Sequence, residues 1–136
     1  MATVASVRTA IEAALVTNLS VAAIVERPLA RDEKIPAGVT RASVVPANGG
    51  VAYDSNVTYP LGNYVIEIAH RLSDATDEDT YLDGDYATDQ AALMLPSFFR
   101  DLTGVNEVTS NPEPEDVSRE GNVIVYTVKV QVAISP

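Results

Sequence analysis

The chain has 136 residues, 46% of them hydrophobic, with 19 acidic and nine basic side chains and a formal net charge of −10. That length fits one domain, which buries roughly two-thirds of its unfolded surface and so holds a core without staples. The absence of cysteine excludes disulfides, thiolate metal ligands and cysteine nucleophiles. The acidic balance argues against a free-standing nucleic-acid binder, which needs a basic face to displace counterions from phosphate.

The opening stretch MATVASVRTAIEAALV carries an arginine among its apolar residues and an early glutamate, unlike a signal peptide. No apolar run approaches the roughly 20 residues that cross a bilayer, so no membrane partner is expected. Val4, Val7, Ile11, Ala14 and Leu15 recur at helical spacing behind a Thr3 N-cap. The helix they predict ends in Thr17–Ser20, and Arg8 and Glu12 sit one turn apart on its other face. Val21 to Val25, a short continuous apolar run, reads as a buried strand. The charged stretch after it, including Arg31, Asp32, Glu33 and Lys34, reads as a loop that reaches Gly38.

TRASVV and VAYDSNVTY are β-prone runs separated by PANGG, whose Asn-Gly-Gly supplies the positive φ angles of a hairpin turn. In LGNYVIEIAHRL, Tyr64, Ile66 and Ile68 point to one side of a strand. Val65, Glu67, Ala69 and Arg71 point to the other. His70, the only histidine, falls on the Ile68 side near the strand end.

Seven acidic residues and no basic one then lie between Asp74 and Asp89. Placed on the calcium-loop spacing from Asp79, this tract has Tyr81 at the third position and Gln90 at the twelfth, where a ligand and a bidentate glutamate are required. The tract therefore reads as a solvated loop feeding a second helix. That helix is predicted from about Thr88, with a stripe of Ala91, Leu95, Phe98 and Leu102 and a C-cap at Gly104. Pro96 either bends it at Leu95 or separates two short helices. Phe98 and Phe99 adjoin, so one enters the core while its neighbour faces sideways, and Phe99 is a candidate interface anchor, with an all-core reading as the alternative.

The last strand has the clearest pattern. Ile124, Tyr126, Val128, Val130, Val132 and Ile134 share one face while Thr127, Lys129 and Gln131 alternate on the other. At about 3.3 Å per residue Val123 to Ile134 spans on the order of 40 Å, the full width of a domain this size. Its partner lies within VNEVTSNPEPEDVS, where Pro112 and Pro114 restrict that partner to an edge or interrupt it. The order of elements predicts an α+β domain with a mostly antiparallel β-sheet and two α-helices packed on one face.

No motif carries a reaction. His70 has no serine in a G-x-S-x-G turn to activate, and no phosphate-cradling glycine loop occurs. Enzyme activity and cofactors are not expected.

The succession of VASVRTAIEAALV, IVERPL with its long loop, YVIEIAHRL, TDQAALMLPSFFRDL and a closing hairpin ending in VIVYTVKVQVAI resembles the tail terminator proteins of long-tailed bacteriophages. The resemblance covers nearly the whole chain and rests on element order, with the proline inside the second helix as a departure. It implies a virion structural protein assembled in the host cytoplasm. Such a subunit forms a homo-hexameric ring, caps the head-proximal end of the tail tube, and contacts the tail tube protein and a neck or head-closure protein. DNA would pass through it without specific binding, and the acidic tract would line the lumen or lie on the outer rim. The candidate interface residues are Arg31, Asp32, Glu33, Lys34, Asp77, Glu78, Asp79, Tyr81, Asp83, Asp85, Tyr86 and Phe99, drawn mainly from the two loops. The alternatives are another head–tail connector of head-closure or adaptor type, a small cation-binding or metal-dependent module using the acidic tract, and a regulatory or immunity-type module without a ring.

Overall fold

The computed structural model describes residues 2–25, 35–54, 57–74, 76–115 and 117–135. Helix α1 (Val4–Asn18) begins where Thr3 and Ser6 exchange hydrogen bonds: Ser6 N–H donates to Thr3 Oγ1 at 3.0 Å and Thr3 N–H to Ser6 Oγ at 2.8 Å. This reciprocal cap satisfies two otherwise orphaned donors. Val7, Ile11, Ala14 and Leu15 are its buried residues, and Arg8 lies 3.5 Å from Glu12 on the other side, as the spacing predicts.

Strands β1 (Ala23–Ile24), β2 (Thr40–Asp54), β3 (Val57–Arg71), β4 (Val105–Pro114), β5 (Ser118–Glu120) and β6 (Val123–Ile134) form a single sheet. Its order is β1-β2-β3-β6-β4, with β5 also paired to β6. Among the described residues only β1 runs parallel to its neighbour. Since β3 occupies one side of β6 from Val123 to Ala133, β4 and β5 share the other side as an interrupted edge. The register shifts three times along β4, and the last shift, between Ser110 and Glu113, spans Pro112.

Between β3 and β4 lie α2 (Asp77–Tyr81), a π-helical turn (Leu82–Tyr86), α3 (Ala87–Leu93) and α4 (Pro96–Arg100). Leu93 and Phe99 join Val7, Ile11 and Leu15 over the apolar side of β3 and β6, where Ile66 and Val128 are fully buried. All helices therefore cover one face. On the other face Ile35, Ala69, Val123 and Val125 make a smaller cluster.

Four expectations need correction. First, Asn48-Gly49-Gly50 is a bulge within β2, where the register shifts between Asn48 and Val51, and not the hairpin turn. Gly50 has φ +89° and gives its N–H to Asn48 Oδ1 at 3.1 Å. Bulge and turn both need positive φ, so Asn-Gly-Gly signals either one. The reversal falls after Asp54, which pairs with Val57, and residues 55–56 lie outside the described residues. Beyond the Leu61–Ala133 pair, β2 and β3 run on without β6 as a two-stranded arm.

Second, the apolar run before β2 yields a strand of two half-buried residues, and its buried member is Val21. Third, the acidic tract is not a loop but helical backbone from Asp77 to Tyr86, continuing into α3. Fourth, the helix that follows does not bury the stripe Ala91, Leu95, Phe98 and Leu102. Asp89, Leu93 and Phe99 are buried instead, and Leu95 is 56% exposed. Pro96 takes the first position of α4, forcing Leu95 to an extended ψ of 122° and resetting the helical phase. The C-cap of α4 is Asp101, and Gly104, with φ +90°, leads into β4.

One close approach fixes α1 on the sheet. The Tyr64 ring lies over Gly62, where a Cβ would stand 2.7 Å from Cε2, and the phenol donates to the Val4 carbonyl at 2.9 Å. Burial pushes that phenol up to about 12, so it remains a donor at ordinary pH. Gly62→Ala is expected to cost about 2 kcal/mol by overpacking, and Tyr64→Phe about 1 kcal/mol by orphaning Val4. Urea titrations of both variants check this; a Gly62→Ala protein as stable as the parent contradicts the packing described.

Candidate functional site

Carboxylates hold the acidic segment at its two ends, Asp74 and Asp77 at its start and Asp89 at its finish. Asp74 Oδ1 accepts from Thr76 N–H at 2.9 Å, Thr76 Oγ1 at 2.7 Å and Asp77 N–H at 3.1 Å, which caps the start of α2. The Thr76 hydroxyl and amide hold the Asp74 carboxyl below the usual range. Asp77 Oδ2 accepts from Ser73 N–H at 2.8 Å and lies 3.1 Å from His70 Nε2. The Ser73 amide, and then His70, hold Asp77 below the usual range against its partial desolvation.

His70 stands at the end of β3, buried to 4% exposure, with Nδ1 2.8 Å from Thr40 Oγ1. Both of its ring nitrogens therefore have a partner, Nε2 at Asp77 and Nδ1 at Thr40. Its face stacks on Tyr81 at 4.0 Å. Thr40, His70 and Asp77 thus line up as hydroxyl, imidazole and carboxylate, the order of a hydrolytic triad. Thr40 is itself only 4% exposed, and a nucleophile sealed from solvent meets no substrate. The chain ties helix to sheet.

Further along, Tyr86 sets its ring edge-on to Tyr126 at 4.9 Å. Asp89, 2% exposed, accepts from Ser20 N–H at 3.2 Å and so anchors the chain leaving α1. Desolvation pushes the Asp89 carboxyl up despite that hydrogen bond. Burial, with Asp89 nearby, also pushes up the Tyr81 and Tyr126 phenols. Glu78 pairs with Arg119 of β5.

The candidate interface residues therefore separate. Asp79, Asp83 and Asp85 are exposed. Asp77 and Glu78 are committed to His70, Ser73 and Arg119, and Tyr86 is half-buried. Tyr81 is 3% exposed and Phe99 fully buried, so neither offers a surface to a partner; Phe99, not Phe98, is the ring that enters the core. Arg31, Asp32, Glu33 and Lys34 lie outside the described residues. The calcium-loop comparison fails in three dimensions too, because helical backbone spreads its carboxylates instead of converging them. Among the described residues no group of three or more His, Asp or Glu side chains is placed to hold a metal ion. No helix among them is long and apolar enough to cross a membrane.

The sequence placed the break at Leu95, and two short helices do meet there. It assigned Leu95 to the buried stripe, however, whereas Met94 and Leu95 are 45% and 56% exposed, with Arg100 at the end of α4. The signal was present: the residue before a proline leaves the α region, which takes Leu95 out of any continuous stripe.

No family model matches the sequence, and no curated protein matches it. Among solved structures, a chain from "Virion of native gene transfer agent (GTA) particle" aligns over 98% of this chain and 94% of that one, at 13% identity and a TM-score of 0.46. Likeness at that level is silent on function.

The Asp77 tie has a definite pH signature. A carboxyl held below its unfolded pKa stabilises the fold above about pH 4, and that contribution disappears as pH falls through the folded value. Asp77→Asn is expected to lose about 1 kcal/mol at pH 7 and to converge with the parent near pH 3. Thermal melts at both pH values check it; an equal deficit at both means that the charge of Asp77 is not what holds α2.

Proposed function

We propose that this chain is a structural subunit of a virion, a tail terminator that assembles as a ring of identical copies. In this reading it caps the head-proximal end of the tail tube, contacts the tube protein on one face and a neck protein on the other, and catalyses nothing. The observation that carries the reading is the division of polar groups. The one hydroxyl–imidazole–carboxylate chain is sealed and structural, while unpaired carboxylates face outward from a helix pinned along its underside. Such a molecule works through its surfaces. Its negative charge suits DNA passage, since carboxylates repel phosphate at the range of a Debye length, about 8 Å at physiological salt.

The sheet edges support the same view. Along β2 the outer edge carries Pro46 and the bulge at Asn48–Val51, and the other edge is the interrupted β4 with Pro112 and Pro114. Prolines and bulges are the usual guards against strand addition. Copies that associate do so through side-chain surfaces, and the order of helix, strands, helix and closing hairpin is the organisation that suggested the family.

Purified protein mixed with growing tail tubes is expected to appear in electron micrographs as a collar at one end only, with elongation stopped. Tubes that elongate normally with bare ends point to a head-closure or adaptor role, or to none in tails.

A further inference from the structure

Among the described residues Arg100 is the one cation with neither an ion pair nor a hydrogen bond. Arg8 pairs with Glu12, Arg71 donates to the Ile35 carbonyl, Arg119 pairs with Glu78, Lys129 pairs with Glu115, and Arg41 is also engaged. Arg100 stands in the last turn of α4, and at the turn that leads into α4 Met94 and Leu95 are two of the four exposed large hydrophobics among the described residues. This corner is basic and bulky. At the far end of the same helical stretch, Asp79 and Asp83 are exposed and unpaired, four residues apart. Beside them Thr80, Gly84, Ala87 and Thr88 are all exposed and small, and a Cβ at Gly84 would meet nothing within 4 Å. This end is acidic and flat.

The two surfaces complement each other in charge and in shape, yet they stand on the order of 20 Å apart along the helical stretch. They cannot meet within one chain. Two unlike patches that fit each other between copies make a head-to-tail contact, which closes into a ring when the rotation between copies permits.

We propose that the α3–α4 corner of one copy docks on the acidic end of the helical stretch in the next. Arg100 lies between Asp79 and Asp83 of its neighbour, and Met94 and Leu95 cover the flat strip at Gly84. The proposal rests on the ring reading and names its contact. Burying the apolar pair supplies the non-directional attraction. The charges select head-to-tail docking over head-to-head, where like charges would face each other.

The test is sedimentation of the full chain, with tail tubes present, across a concentration series. Arg100→Glu, and separately Asp79→Arg with Asp83→Arg, are each expected to raise the concentration for half-assembly on the order of tenfold or more. Combining all three substitutions restores the attraction with its signs exchanged and is expected to recover most of the loss. Gly84→Gln separates docking from folding. Replacing a helical glycine that has open space around it leaves the melting temperature equal or higher, while the longer side chain blocks the strip and weakens assembly. If the parent assembles and Arg100→Glu assembles equally well, or if the triple variant recovers nothing, this contact is wrong and the ring reading stands. A parent protein that stays monomeric on tubes at every concentration overturns both.

Discussion

The aromatic underside of the acidic helical stretch is what the described surface depends on. Helical carboxylates spaced four apart repel by a few tenths of a kcal/mol per pair, and a helix of this length in isolation is marginal even with a favourable composition. The stretch is helical because its inward side has somewhere to go. Tyr81 stacks on His70, Tyr86 meets Tyr126 edge-on, and Tyr81 packs with Leu72 and Ile124. Aromatic pairs of this kind contribute about 0.5–1.5 kcal/mol each beyond burial. Asp77 and Asp89 then use their charges on backbone amides at the two ends, Ser73 and Ser20. Exposed carboxylates are tolerated because the buried side holds them in place.

That arrangement decides what the chain offers to other molecules. With the histidine enclosed between Thr40, Asp77 and Tyr81, its ring serves the fold. The exposed features are geometric: a rigid acidic stretch, a proline-made corner and a hairpin arm that runs past β6. Charge and shape on fixed elements give selectivity of docking.

The elements that bury an unbroken apolar pattern were legible in the sequence. The alternation from Ile124 to Ile134 and the spacing of Val7, Ile11 and Leu15 each match the buried set, because one period allows one face. The α+β class and the placement of helices on one side followed from them. The acidic helix was not legible, since seven carboxylates mask a short underside supplied by Tyr81 and Tyr86, aromatic residues that read as loop contacts. The bulge at Gly50 was misread because positive φ is a local requirement shared by bulges and turns, and only pairing distinguishes them. The buried position of Phe99 was left open by a periodicity that Pro96 interrupts. Of the candidate surface, Asp79, Asp83 and Asp85 were legible as charge alone. Their fixed presentation, and the corner with Arg100, required the three-dimensional break at Leu95.

The account stands on self-association of copies into a closed collar. Native mass measurement of the purified full chain, with and without tail tubes, combined with class averages of the particles, tests this directly. A discrete closed ring of identical subunits is the expected result. A protein that remains a single copy under both conditions, its mass shifted only by a bound ion or small molecule, contradicts the account.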